Sequence, residues 1–316
     1  MSEAALPSRA AIVATAQESI ALGSKSFSAA SRLFDRPTRE RAWLLYAWCR
    51  ACDDLADGQD HGQDARPVDA EAGLARIRLL TRAALAGEWV GDPAFDALRI
   101  VAAETRLPRR FIWDLVEGFA LDASGWRPQS EADLYRYCYH VAGSVGCMMA
   151  VVMGIDPGDE ATLDRACDLG IAFQLANIAR DIVADAAIGR CYLPADWLAD
   201  AGIAPESIGE PSHRAQLATI AARLADRASA YADSARRGTA SLSFRSAWAV
   251  LAAAGIYGDI ARKVAAAGPR AWDRRIAVSS AEKLGWIVRA AIDARARGTR
   301  YPPEPRAADL WTRPKA

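Results

Sequence analysis

The sequence predicts an all-α protein, one helical domain in which acidic helices face each other across a cavity. Three observations carry that prediction. Ala, Leu and Arg dominate and favour helix; apolar residues recur at three- and four-residue steps over long segments; and no run alternates as a strand does. With 316 residues, 52% of them hydrophobic, the chain can bury a large core. A core over about 9–297 followed by an irregular tail over about 298–316 accounts for the whole length.

The helical segments are expected in order at 9–22, 38–56, 69–86, 92–104, 109–121, 131–153, 160–186, 213–237, 244–267 and 279–297. Between the second and third, residues 58–66 are polar and rich in Gly, Gln and Asp, a loop composition that suits closure over a ligand. Residues 141–155 are the longest apolar stretch, interrupted by Gly143, Ser144 and Gly146. That is shorter than the ~20 residues a bilayer span needs, so it is expected to be a buried core helix. The tail is basic and carries Pro302, Pro303, Pro305 and Pro314, which suits an irregular or mobile end.

Lys plus Arg and Asp plus Glu both total 39, so no global field points toward nucleic acid or an anionic membrane. Any phosphate binding must come from local clusters. The stretch from Met1 to Arg9 lacks the charged-then-apolar pattern of a signal peptide, and a cytoplasmic location is expected. Cys49 and Cys52 form one CxxC without a second pair or paired His, so reduced helical thiols are the expectation.

Two Asp pairs, Asp53 with Asp57 and Asp181 with Asp185, are each spaced i,i+4 in helical sequence. Both carboxylates of a pair then share one helical face and repel each other unless a cation sits between them. Tyr46, Arg50, Asp53 and Asp57 form one polar stripe, and Gln174, Asn177, Asp181 and Asp185 form another. A lone pair reads as a solvated face; two pairs on two stripes point to magnesium shared with a diphosphate. Arg50 and Arg180 are placed to fork onto phosphate oxygens, or to pair with the neighbouring carboxylates. A di-iron site would need Glu-x-x-His pairs, and His61, His140 and His213 supply none. Gly23-Ser24-Lys25-Ser26-Phe27 lacks the upstream glycine of a P-loop, yet its hydroxyls, amides and ammonium suit a diphosphate; an ordinary helix-stop turn is the alternative.

Together these segments resemble the squalene and phytoene synthase family of head-to-head prenyl transferases. Ser24-Lys25-Ser26-Phe27 is similar to its diphosphate-contacting segment, and Tyr46 through Asp57 to its first aspartate-rich motif. Tyr137-Cys138-Tyr139-His140-Val141-Ala142-Gly143-Ser144-Val145-Gly146 resembles the central helix. Gln174 through Asp181, with Asp185 and Gly189-Arg190-Cys191-Tyr192-Leu193-Pro194, resembles the second signature. Tyr257 and the stretch from Arg275 to Lys283 match the C-terminal substrate-facing segment more loosely. Ala184, where relatives commonly carry Glu, and Gly23, where some carry His, depart from the pattern.

The resemblance implies the class I isoprenoid synthase fold and a condensation of two geranylgeranyl diphosphates, through a cyclopropyl diphosphate, to phytoene in carotenoid biosynthesis. It implies magnesium, with manganese as a substitute, on Asp53, Asp57, Asn177, Asp181 and Asp185, and no NADPH. Ser24, Lys25, Ser26, Tyr46, Arg50, Gln174, Asn177, Arg180, Tyr257 and Arg275 would bind substrate, and Tyr137 would act with the Asp residues in catalysis. Val141, Val145 and Met148 are placed to line a channel, although plain core packing is the stronger expectation for Met148 and its neighbours, and the ring faces of Tyr137 and Tyr257 to stabilise a cation. Partners implied are the prenyl diphosphate, downstream carotenoid enzymes and a membrane surface for the oily product. Squalene, hydroxysqualene or dehydrosqualene synthesis from farnesyl diphosphate is the alternative within the family. A non-catalytic assembly protein is the alternative outside catalysis, and it would be expected to have lost these ligands.

Overall fold

The computed structural model describes residues 6–57 and 70–315, and for Lys25, Ser26 and Asp57 the backbone alone. The loop expected at 58–66 lies outside the described residues. Among them every regular element is helical. The α-helices are α1 Arg9–Gly23, α2 Lys25–Ser31, α3 Arg36–Asp57, α4 Ala70–Leu85, α5 Pro93–Thr105, α6 Arg109–Ala123, α7 Glu131–Cys138 and α8 Ser144–Val152. Then come α9 Glu160–Ala187, α10 Ala195–Asp200, α11 Arg214–Gly238, α12 Phe244–Ala267, α13 Ser280–Arg295 and α14 Arg297–Arg300.

Local chemistry sets several starts. Ser8, Asp92, Asp159 and Ser243 accept a backbone N–H from the first turn of α1, α5, α9 and α12. Reciprocal capping boxes, Ser130 with Asp133 and Ser279 with Glu282, open α7 and α13. The short helices α2 and α10 went unread because six or seven residues give too little periodicity.

Helix α9 runs through the middle, packed against α7, α8, α11 and α12, while α1, α3, α5 and α6 complete the other side. Trp48, Leu44, Phe95 and Phe111 are fully buried there. The segment expected as one helix at 131–153 is interrupted by a π-helical turn, Tyr139–Gly143. Two glycines let its continuation press onto α9: a Cβ on Gly146 would stand 2.3 Å from the Ala166 carbonyl oxygen, and one on Gly170 would stand 2.2 Å from that of Ala142. No side chain fits at either contact.

The tail corrects an expectation. It is irregular beyond α14, as its prolines dictate, but it is strapped down and not a mobile end. Arg306 forks onto the fully buried Asp168 at 2.6 and 2.9 Å. Arg313, itself fully buried, pairs with Glu160 and lies 2.9 Å from Asp164, and Lys315 reaches Asp164 at 3.0 Å. The backbone N–H of Trp311 donates to the Tyr231 hydroxyl at 3.0 Å. Composition shows where Arg residues are; it does not show which distant carboxylates await them.

Candidate active site

A cavity of about 630 Å³ runs along α9. Thr162, Arg165, Leu169, Phe173, Asn177 and Asp181 face it, at steps of three and four that keep one helical stripe turned inward. Apolar walls come from Val141, Val145 and Met149 on one side and Val250, Ala253 and Ile256 on the other. Met148, of the two roles open to it, takes core packing and is fully buried, and Met149 lines the wall. Val141, Val145 and Met149 stand at i,i+4 steps, and Met148 falls one residue off that row.

The carboxylates gather at one end. Arg180 forks onto Asp181, with Nε at 2.9 Å from Oδ1, and Arg275 reaches the same carboxylate at 3.3 Å. Burial alone would raise the Asp181 carboxyl, but the hydrogen bond and charge of Arg180, helped by Arg275, hold it below its ordinary value. Asp185 behaves oppositely. Burial and then the charge of Asp181 push it up to about 6, against the pull of Arg190, Arg180 and Arg275. Its carboxylate accepts no side-chain hydrogen bond among the described residues, and neither side-chain amide of Gln174 nor Asn177 is engaged there, although all three line the cavity. This is a set of oxygen donors whose hydrogen bonding the described side chains leave incomplete.

Helix α3 brings Tyr46, Arg50 and Asp53 to the same cavity. Arg50 lies 2.8 Å from Asp53 and donates from Nε to Asp54 at 2.9 Å, so intrahelical pairing, one of the two readings of these arginines, is present on both acidic helices. The Asp57 side chain lies outside the described residues. Gly23 leaves room for Tyr46, since a Cβ there would stand 2.5 Å from the Tyr46 hydroxyl. The departure at Gly23 is thereby matched by its neighbour. Ala184 is exposed and lies off the cavity stripe.

Ser24 lines the cavity, but its amide donates to Ile20 and its hydroxyl accepts from Phe27 as the cap of α2. The amides expected to be exposed here are partly spent on helix formation. The side chains of Lys25 and Ser26 lie outside the described residues.

Tyr137 reaches the cavity within an aromatic stack. Its ring lies 4.8 Å from that of Tyr192 and 5.9 Å from that of Trp126, and its hydroxyl donates to Asp122 at 3.0 Å. Tyr192 donates to the same carboxylate at 3.1 Å. Tyr257 is stacked on Phe173 at 4.0 Å, beside Arg180. Sequence reasoning missed Asp122 and Arg190 as cavity residues, and Tyr192 as a partner of Tyr137. Arg190 and Tyr192 stand inside a quoted motif and were legible; Asp122 stands at the end of α6 in no motif.

Among the described residues no three carboxylate, imidazole or thiol groups converge into a closed metal cage. The donor set still fits a hard divalent cation, because magnesium keeps waters and takes phosphate oxygens rather than filling an all-protein cage. The CxxC does not. Cys52 is buried, and burial pushes the Cys49 thiol up to about 12.

A squalene/phytoene synthase family model matches residues 20–282. The chain belongs to that family. It is 49% identical to the phytoene synthase of Pseudescherichia vulneris, covering 95% of this chain and 97% of the relative. To the 15-cis-phytoene synthase of Pantoea ananas it is 47% identical over the same shares. Among solved structures, a dehydrosqualene synthase aligns with a TM-score of 0.81 at 27% identity, covering 91% of this chain and 98% of that one. A squalene synthase from Alicyclobacillus acidocaldarius aligns at 0.71 and 26%, covering 83% and 94%. The fold of the family, an isoprenoid synthase bundle, is the fold seen here.

Proposed function

We propose that this chain joins two molecules of geranylgeranyl diphosphate head to head, through a cyclopropyl diphosphate, into phytoene with release of two diphosphates, a step of carotenoid biosynthesis. One observation carries the reading: 47–49% identity to phytoene synthases over nearly the full length, with Tyr46, Arg50 and Asp53 of one acidic stripe and Gln174, Asn177, Asp181 and Asp185 of the other lining one apolar cavity. An assembly protein has no need of a part-buried carboxylate without a side-chain hydrogen bond on an apolar cavity.

Asp53, Asp57, Asn177, Asp181 and Asp185 would hold magnesium or manganese, whose contribution when bound is to neutralise the departing diphosphate as a Lewis acid. Arg50, Arg180 and Arg275, with Ser24, Lys25, Ser26 and Tyr46, grip the diphosphate oxygens, the arginines exchanging a carboxylate for a phosphate partner. Gln174 orients the head group. The apolar walls exclude the water that would quench an allylic cation. The Phe173–Tyr257 pair faces that cation with aromatic rings, and Tyr137, fixed by Asp122, shapes the wall opposite. No reductant enters, so NADPH is not needed.

Purified protein given geranylgeranyl diphosphate and magnesium, without NADPH, is expected to yield phytoene, and chelator to stop it. Product from farnesyl diphosphate alone would overturn the assignment. A cytoplasmic enzyme that touches membrane peripherally to hand on its oily product belongs to the same reading; none of the described helices is long and apolar enough to cross a bilayer. Liposome flotation with and without substrate tests that contact, and co-purification tests transfer to downstream carotenoid enzymes.

A further inference from the structure

Away from Asp181 and Asp185 the cavity is lined by the stem of an arginine. Arg165 lines the cavity there, on α9, with Thr162, Phe34, Gly238 and Leu242 around it. Asp181 lies sixteen residues further along the same helix, which at the α-helical rise places it about 24 Å away. A charged side chain in an apolar cavity needs its head held elsewhere. The guanidinium of Arg165 is turned away from the apolar space: Nη1 donates to the Ser234 carbonyl at 2.9 Å and to its hydroxyl at 3.2 Å, and Nη2 donates to the carbonyl of Glu304 in the strap. What remains for the cavity is the methylene stem. That stem lies directly on Gly238, where a Cβ would stand 2.8 Å from the Cβ of Arg165 and 3.3 Å from its Cδ.

The surrounding floor is pegged in the same way. Arg245 donates to the carbonyls of Leu33 and Phe34 at 2.9 and 3.2 Å, and Arg297 donates to that of Leu242 at 3.1 Å. Each arginine satisfies carbonyls left over where the chain turns, and so fixes an apolar side chain facing inward. Arg165 alone among the three lines the cavity itself.

We infer that Arg165 is the chain-length stop of this enzyme, its methylenes forming the surface against which the far end of the prenyl chain rests and its guanidinium tying that surface to the C-terminal strap. The inference deepens the proposed reading and rests on it. Arg165→Ala removes the stop, and Arg165→Met keeps a stem of similar length without the guanidinium.

The test compares kcat/KM for geranylgeranyl diphosphate with that for the diphosphate one isoprene unit longer, in wild type and both variants, with product analysis. In Arg165→Ala the longer-to-shorter ratio is expected to rise about tenfold or more, because each methylene a pocket accepts or refuses is worth that order. Arg165→Met is expected to return the ratio close to the wild-type value. A merely structural role would lower both substrates in proportion and leave the ratio unmoved, which would overturn the inference. Hydroxylated products with an unmoved ratio would overturn it too, making Arg165 a seal against water. If wild type makes no phytoene from the shorter substrate, the proposed function itself has failed; if it does, an unmoved ratio counts against the stop alone.

Discussion

Helix α9 carries the same acidic spacing twice, Asp164 with Asp168 in its first half and Asp181 with Asp185 near its end, with different bonding around each. The first pair is neutralised from a distance. Arg306, Arg313 and Lys315 arrive from the strap, and Ser234 donates to Asp168 at 2.5 Å. In the second pair Arg180 and Arg275 bond to Asp181, while Asp185 accepts no side-chain hydrogen bond among the described residues and burial, more than the charge of Asp181, pushes it up to about 6. Asp185 also sits in the last turn, where unpaired carbonyls make the helix end negative and a carboxylate less favourable. One pair is a brace and the other a site, because of what the rest of the chain brings to each.

The sharpest way to break this comparison is to truncate one member of each pair. Asp181→Ala is expected to lower turnover about a thousandfold, the scale of losing a main electrostatic contact to the departing group, while helicity and melting temperature hold. Asp168→Ala is expected to lower stability by about 3 kcal/mol, since it leaves Arg306 without its buried partner, while protein that remains folded still turns over. Product formation and denaturant midpoints measured on both variants decide the matter. A folded but inactive Asp168→Ala, or an Asp181→Ala that melts early, would erase the distinction.

The brace can be sharpened further. Arg306→Ala leaves Asp168 buried and unpaired and is expected to cost a similar ~3 kcal/mol by denaturant unfolding. Replacing both partners with apolar residues, Arg306→Met with Asp168→Leu, is expected to recover most of that loss, because neither charge then needs a partner. A double variant no better than Arg306→Ala would show that the ion pair does more than neutralise itself.

These contrasts mark what the sequence could and could not disclose. Helices long enough to repeat their apolar face, such as α3, α9 and α12, were readable to within a residue or two. Asp181 and Asp185 were readable because Asn177 and Gln174 extend their stripe. Asp164 and Asp168 have the same spacing, and only the fold shows that a strap more than a hundred residues away satisfies them. The π-turn at Tyr139–Gly143 was equally hidden, since nothing in the residue pattern marks a change from α to π winding. Asp122 was invisible because its partners Tyr137 and Tyr192 are distant in sequence.

A pH series tests Asp185 with a smaller effect; burial raises the Asp168 carboxyl too, against Arg306 and Ser234, but Asp168 does not line the cavity. The folded-state value of Asp185 is raised from 3.8 to about 6, so the fold favours its protonated form. The cost of keeping it ionised is absent below about pH 3.8, grows as pH rises toward about 6 and is complete above that. Cation binding relieves this cost and must expel the proton when one is present. Apparent magnesium affinity, measured with diphosphate by calorimetry, is therefore expected to weaken about tenfold for each pH unit below 6. Glu104 does not confuse this window. The hydrogen bond from Arg9 holds it low, so its contribution to stability is present above its unfolded value of 4.5 and is lost only as pH falls through the depressed folded one. Magnesium affinity flat across this range would mean that Asp185 is no ligand.

The smallest effect concerns Arg275, which reaches Asp181 at 3.3 Å although its side chain is 73% exposed. An exposed pair of this kind contributes at most about 1 kcal/mol, so Arg275→Ala is expected to leave the melting temperature nearly unchanged. Its kinetic effect should be larger than its structural one. With a diphosphate in place the guanidinium gains a doubly charged partner, and KM is expected to rise about fivefold while kcat falls less. Arg306, whose partner Asp168 is already its own, has no such second role, and its loss should move stability and leave KM alone. An Arg275→Ala variant with wild-type KM would place Arg275 with the brace, as a residue that only neutralises a neighbouring carboxylate.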